Sequence, residues 1–172
     1  MEKKETNKAV TFILVGSLLG TFNGIGGGWA STITAIIGFI LFFMGLKKLK
    51  MSLDETGQGG VKLLTIAAII AIIGLVIDLI PLIGGMIAGI FYIVAFIIEL
   101  LGFLKLKKSI TIGELGAKGV GLIIISMILM IIEAIFGILP LPFVGIICSI
   151  LSIVALLLLL FGWIKVQEAL VE

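Results

Sequence analysis

Six long apolar runs divide this chain, and each is close to the ~20 residues a helix needs to cross a ~30 Å hydrocarbon core. They cover approximately residues 9–26, 29–47, 61–80, 84–105, 120–139 and 143–165. Lipid offers no water to satisfy backbone N–H and C=O groups, so runs of this length should be helices. They lack the two-residue alternation that a membrane barrel needs. Composition agrees: 61% of residues are hydrophobic and 13% charged, against ~45–50% apolar and ~25% charged in ordinary soluble domains. The pattern implies an all-α, multi-pass protein of the cell membrane, with the lipid bilayer as its first partner. The opening run has the outline of a signal peptide behind Lys3, Lys4 and Lys8. No small-x-small cleavage site precedes a polar mature domain, so it reads as an uncleaved first span.

Lysine placement sets the orientation. Lys3, Lys4 and Lys8 precede the first span; Lys47, Lys48, Lys50 and Lys62 flank the loop after the second. Lys105, Lys107, Lys108 and Lys118 flank the loop after the fourth, and Lys165 follows the sixth. The three intervening turns carry no lysine. By the positive-inside rule this face is cytoplasmic, and both termini lie on it.

The spans repeat in pairs. Gly45-Leu46-Lys47-Lys48 is matched by Gly102-Phe103-Leu104-Lys105, and more distantly by Gly162-Trp163-Ile164-Lys165. In the loops, Glu55-Thr56-Gly57 matches Glu114-Leu115-Gly116, and Gly60-Val61 matches Gly119-Val120. On the far side, Pro81 in Ile-Pro-Leu matches Pro140 in Leu-Pro-Leu. The expected fold is one transmembrane domain over residues 1–172, built from three helical hairpins at approximately 9–52, 60–109 and 119–169. Each hairpin crosses the membrane twice, so the copies are parallel repeats about an axis along the membrane normal. A pseudo-threefold bundle is the simplest packing.

Three constellations are candidates for function. Gly16, Gly20, Gly24 and Gly28 form a glycine zipper on one face of the first helix, a groove that another backbone can enter. It serves either packing against a neighbouring hairpin or contact with a second copy. Gly45, Gly102 and Gly162 are the corresponding close-packing points at the inner helix ends. Next come the carboxylates within apolar runs, Asp78, Glu99 and Glu133, each costing ~2.5–3.5 kcal/mol at mid-span on insertion scales. Asp78 lies near the outer interface, Glu133 continues a stripe with Ser126 and Met130, and Glu99 shares a face with Tyr92. No basic residue lies in the membrane core to pair with Glu99 or Glu133. Each must be protonated, hydrogen-bonded, hydrated or bound to a cation, and an ion- or proton-handling role follows as a hypothesis. The third is the cytoplasmic lysine face, which sets topology and could hold anionic lipid.

Catalysis finds little support. There is no histidine, no P-loop, no metal-ligand spacing and no nucleophile-elbow serine. We expect no enzyme, no cofactor and no metal site. Cys148 is the lone cysteine and reads as a buried structural thiol. The net charge of +2, without arginine, gives no free basic face for nucleic acid.

Glycine-rich hairpins with a membrane glutamate are similar to rotary proteolipid subunits. That likeness fails because Glu99 aligns with Phe42 and Leu159 in the other copies. The Gly-x-x-Lys helix ends at Gly45–Lys48 and Gly102–Lys105, with the Lys8-to-Gly20 opening run, resemble the prokaryotic membrane family catalogued as domain of unknown function 996. The resemblance implies a multispanning protein without assigned activity. The function expected is structural: a homo-oligomer or a subunit of a larger membrane complex. The alternative is a small-solute or ion transporter or channel that uses the intramembrane carboxylates.

Overall fold

All three prolines, Pro81, Pro140 and Pro142, fall between apolar runs, so none interrupts the winding of a run. The computed structural model describes residues 3–21, 29–137 and 143–171. They form α1 (Lys3–Thr21), α2 (Trp29–Lys50), α3 (Glu55–Asp78), α4 (Gly84–Leu106), α5 (Gly113–Gly137) and α6 (Val144–Val171), with no strand among the described residues. Helices α3 to α6 are long and apolar enough to cross a membrane, with mean hydropathy of 2.5 to 3.0 over their best windows. Four such helices make this a multi-pass membrane protein. The apolar stretch of α1, Asn7–Leu19, is shorter, and α2 carries Lys47, Lys48 and Lys50 in its last turn.

The helices overrun the expected spans at their charged ends. Helix α1 starts at Lys3, α3 at Glu55, α5 at Gly113, and α6 continues to Val171. Lysine and glutamate are good helix formers. Glu55 and Glu114 also stand in first turns, where the helix dipole favours negative charge. Hydropathy reports where lipid begins, not where helix begins. Helix α1 is described as far as Thr21; residues 22–26 of its expected span, with Gly28 and Pro140, lie outside the described residues.

The closest pairs are α1 with α2, α3 with α4, and α5 with α6. Sparser contacts of α2 with α3, α4 with α5, and α6 with α1 close the helices into a ring. Small residues let each pair approach. A β-carbon at Gly60 would stand 2.7 Å from the Leu106 nitrogen, and one at Gly102 would stand 2.8 Å from Leu64 Cδ2. In the third pair a β-carbon at Gly119 would meet the Gly162 carbonyl at 2.5 Å; in the first, Gly45 faces Ala9 and Ile13. One heptad further along, Gly16 faces the Gly38 carbonyl, Ala67 and Ala95 are buried, and Ser126 donates to the Ala155 carbonyl at 2.7 Å. Residues seven apart return to the same helix face, so each seam is lined with small side chains at two successive levels.

The large side chains gather at the lysine end. Trp163, Phe103, Ile13, Leu46, Leu49, Leu106, Ile112 and Ile123 are all fully buried, and the Phe103 and Trp163 rings meet edge-on at 5.9 Å. Polar ties link the segments there. The Asp54 carboxylate, before α3, accepts from the Ser109 hydroxyl and, at 3.2 Å, from Thr111, while the Asp54 N–H donates to Thr111 Oγ1 at 2.9 Å. The Ser109 bond holds the Asp54 carboxyl below its ordinary range. Gln167 donates to Asn7 Oδ1 at 3.3 Å, tying α6 to α1. Lys48 meets Glu5 at 2.9 Å and keeps that carboxyl low as well.

Candidate functional site: a cavity inside the helix ring

Seams of glycine and alanine leave nothing bulky to fill the ring axis beyond the lysine-end core. A cavity of about 1000 Å³ results, lined by residues of all six helices. Gly16, Gly38, Ala67, Ala68, Ala71 and Ala95 supply room, while Phe39, Phe42, Phe96, Tyr92, Met127 and Met130 supply apolar and aromatic walls. Phe42, Leu64, Phe103, Ile123 and Leu159 form its floor against the lysine-end core.

Glu99 stands in this wall. It precedes Gly102 by three residues, as Phe42 precedes Gly45 and Leu159 precedes Gly162. The three residues therefore occupy one level, and at that level a single carboxylate faces two apolar side chains. Glu99 has neither a hydrogen bond nor an ion pair within the described residues. Tyr92 lines the same cavity two turns further along α4, its ring packed where a β-carbon at Gly74 would stand 3.0 Å from Cε1.

Parts of the cavity wall are exposed. Ile97 of α4 and Ile131 of α5 both line it and are 52% and 38% exposed. By the helical rise they sit roughly 9–12 Å along the axis from Phe103 and Ile123. They belong to α4 and α5, the most sparsely packed neighbours in the ring.

The other candidates lie elsewhere. Glu133 does not line the cavity: it accepts a hydrogen bond from Ser152 Oγ at 2.5 Å, inside the α5–α6 seam, and Cys148 Sγ lies 3.7 Å from the Glu133 carbonyl. The expected stripe is split, since Ser126 and Glu133 bond to α6 while Met130 lines the cavity. Asp78 is exposed near the end of α3 and does not line the cavity. Gly16 packs on α2, its partner in the same hairpin, where a neighbouring hairpin or a second copy was the expected contact. The physical reason is the short connection, which puts the facing backbone closest at hand. Gly45, Gly102 and Gly162 lie buried at the inner crossings of their own pairs. The described residues hold no group of three potential metal ligands.

The sequence reading missed the aromatic and methionine lining, because Phe39, Phe96 and Met127 carry the same apolar signal as lipid-facing residues. The seven-residue spacing of Gly60, Ala67 and Gly74 against Gly102, Ala95 and Ala88 was the signal that could have found the seams. No protein-family model, curated protein or solved structure matches this chain.

Proposed function

We propose that the chain is a six-span protein of three parallel hairpins, lysine ends cytoplasmic, that binds and moves a small lipophilic cation through its central cavity. One observation carries this reading: a carboxylate without a partner, Glu99, in an apolar cavity lined by all six helices. Ionisable groups within membrane spans are rare and costly, and they mark ligand and ion pathways. A cation balances the charge that no basic residue of the cavity wall balances. Phe39, Phe42, Phe96 and Tyr92 offer aromatic faces to it. The matching crossings at Gly45, Gly102 and Gly162 support the hairpin plan, and the resemblance to the domain of unknown function 996 family fits the same multispanning outline.

The test is uptake of tetraethylammonium, a quaternary cation that crosses a bare bilayer only slowly, into proteoliposomes, driven by an imposed potential. Wild type should accumulate it well above empty liposomes, and Glu99→Gln should reduce the rate at least tenfold, on the order of the loss of one desolvated charge contact. Wild-type uptake equal to empty liposomes, or unchanged in Glu99→Gln, rejects the reading.

The second reading, a subunit that works by assembling with copies or a larger complex, has Gly89 in its support. A β-carbon there would meet nothing within 4 Å among the described residues, which leave that part of α4 uncovered. A discrete oligomer in mild detergent that Gly89→Leu dissociates would favour it.

A further inference from the structure

A second concavity lies at the lysine end, away from the cavity. Lys107 just beyond α4, Lys118 of α5 and Lys165 of α6 surround a groove of about 420 Å³. Its floor is apolar: Ala117, Gly121, Leu122 and Ile125 run along α5, roughly 12 Å from end to end by the helical rise. Ile125, at the far end, is 49% exposed. A β-carbon at Gly121 would stand 3.7 Å from Lys107 Nζ, so that ammonium lies over the floor of the groove.

The charges are unequally committed. Lys118 is held by Glu114 at 2.7 Å, the fourth charged residue of the groove. Lys107 and Lys165 make no ion pair within the described residues. Elsewhere the lysine face is partly consumed: Lys48 pairs with Glu5 and lies over the Phe12 ring at 5.7 Å. Three ammonium groups against one carboxylate leave this groove with a surplus of positive charge, directly above an apolar track.

We infer that this groove binds one anionic phospholipid, its phosphate between Lys107 and Lys165 and its first methylenes along Gly121, Leu122 and Ile125. Charge complementarity selects the headgroup, and basic pockets between membrane helices are suited to it. The apolar floor favours a lipid over free phosphate, which would leave that floor uncovered. All three helices are among those long enough to span a membrane, so the site does not depend on the cation-transport reading.

The full chain, purified in mild detergent, is titrated with phosphatidylglycerol or phosphatidylcholine and the bound lipid is counted by native mass spectrometry. Wild type should retain one phosphatidylglycerol in preference to phosphatidylcholine. Lys107→Gln with Lys165→Gln should weaken that binding on the order of tenfold or more, and Lys107→Arg with Lys165→Arg should preserve it. A control removes equal charge elsewhere, Lys47→Gln with Lys50→Gln, and should change retention little. Equal weakening by the control pair would mean general charge attraction and overturns the site. So would displacement of the lipid by millimolar glycerol phosphate, which carries the headgroup charge without the chains. Both glutamine pairs are checked for an unchanged melting temperature, so that misfolding is not mistaken for lost binding.

Discussion

The two ends of this helix ring are built on opposite principles. At the lysine end, large side chains interlock, backbones touch through glycine, and polar groups tie the connecting segments together. At the opposite end Gly84 still packs on the Ile77 carbonyl, but among the described residues Gly89, Gly137 and Gly145 have no neighbour within reach of an added β-carbon, and Ile90, Ile93, Ile146 and Ile150 are exposed. Between them lies the cavity with Glu99. Packing in lipid relies on van der Waals contact and hydrogen bonds, not on hydrophobic burial. A bundle that concentrates both at one end can leave the other loose enough to admit a ligand.

One kind of substitution, made at each end, tests that division. Gly119→Ala puts a β-carbon 2.5 Å from the Gly162 carbonyl, a backbone clash that only separation of α5 and α6 relieves. We expect a loss of ~3 kcal/mol. Gly89→Ala, at the loose end, should be neutral or stabilise by up to ~1 kcal/mol through helix propensity. Thermal unfolding in detergent measures both, and equal losses would break the comparison.

Trp163 gives the next contrast. Its side chain is wholly buried, and the indole N–H has no hydrogen-bond partner among the described residues. Trp163→Ala should cost ~3–5 kcal/mol, whereas Phe161→Ala, on a residue 52% exposed two positions earlier, should cost under ~1 kcal/mol. Chemical denaturation separates the two.

Ser126 sharpens the middle of the seam. Its hydroxyl is buried and donates to the Ala155 carbonyl. Ser126→Ala should cost between ~0.6 and ~1.7 kcal/mol, the range for interhelical hydrogen bonds in membranes. Ser149→Ala, whose exposed hydroxyl bonds only within α6, serves as the reference in the same unfolding assay.

The smallest effect concerns the polar ties of the lysine end. The Asp54 carboxyl lies below its ordinary value of 3.8, chiefly through the Ser109 hydroxyl. The folded state therefore favours the ionised form. Its contribution is complete above the ordinary value and disappears as pH falls through the lowered folded value. A melting-temperature profile from about pH 6 to pH 2 should fall in its acid limb, and Asp54→Asn should flatten part of that fall. An unchanged limb would show that the tie is without thermodynamic weight.

The sequence made much of this legible. The helical class and the positions of the apolar helices follow from run length and the absence of water in lipid. Gly60, Gly102, Gly119 and Gly162 stood out because a residue without a side chain is conspicuous among isoleucines and leucines. The helix limits were misjudged where Glu55 and Glu114 stand in first turns outside the apolar runs, since helix propensity and the helix dipole act where hydropathy stops. Glu99 and Glu133 looked alike in sequence, both being lone acids among apolar residues. They differ because Ser152 stands opposite one of them and a cavity opposite the other.

By itself, then, the chain determined its solvent, its helices and the residues able to cross closely, because hydropathy, helical rise and side-chain size are local properties. Only the tertiary structure decided which faces meet. The ring closed by α6 against α1, the cavity lined from six helices and the groove of Lys107, Lys118 and Lys165 join residues far apart in sequence. An apolar side chain carries the same signal whether it faces lipid, a neighbouring helix or a cavity, so no local pattern could have separated them.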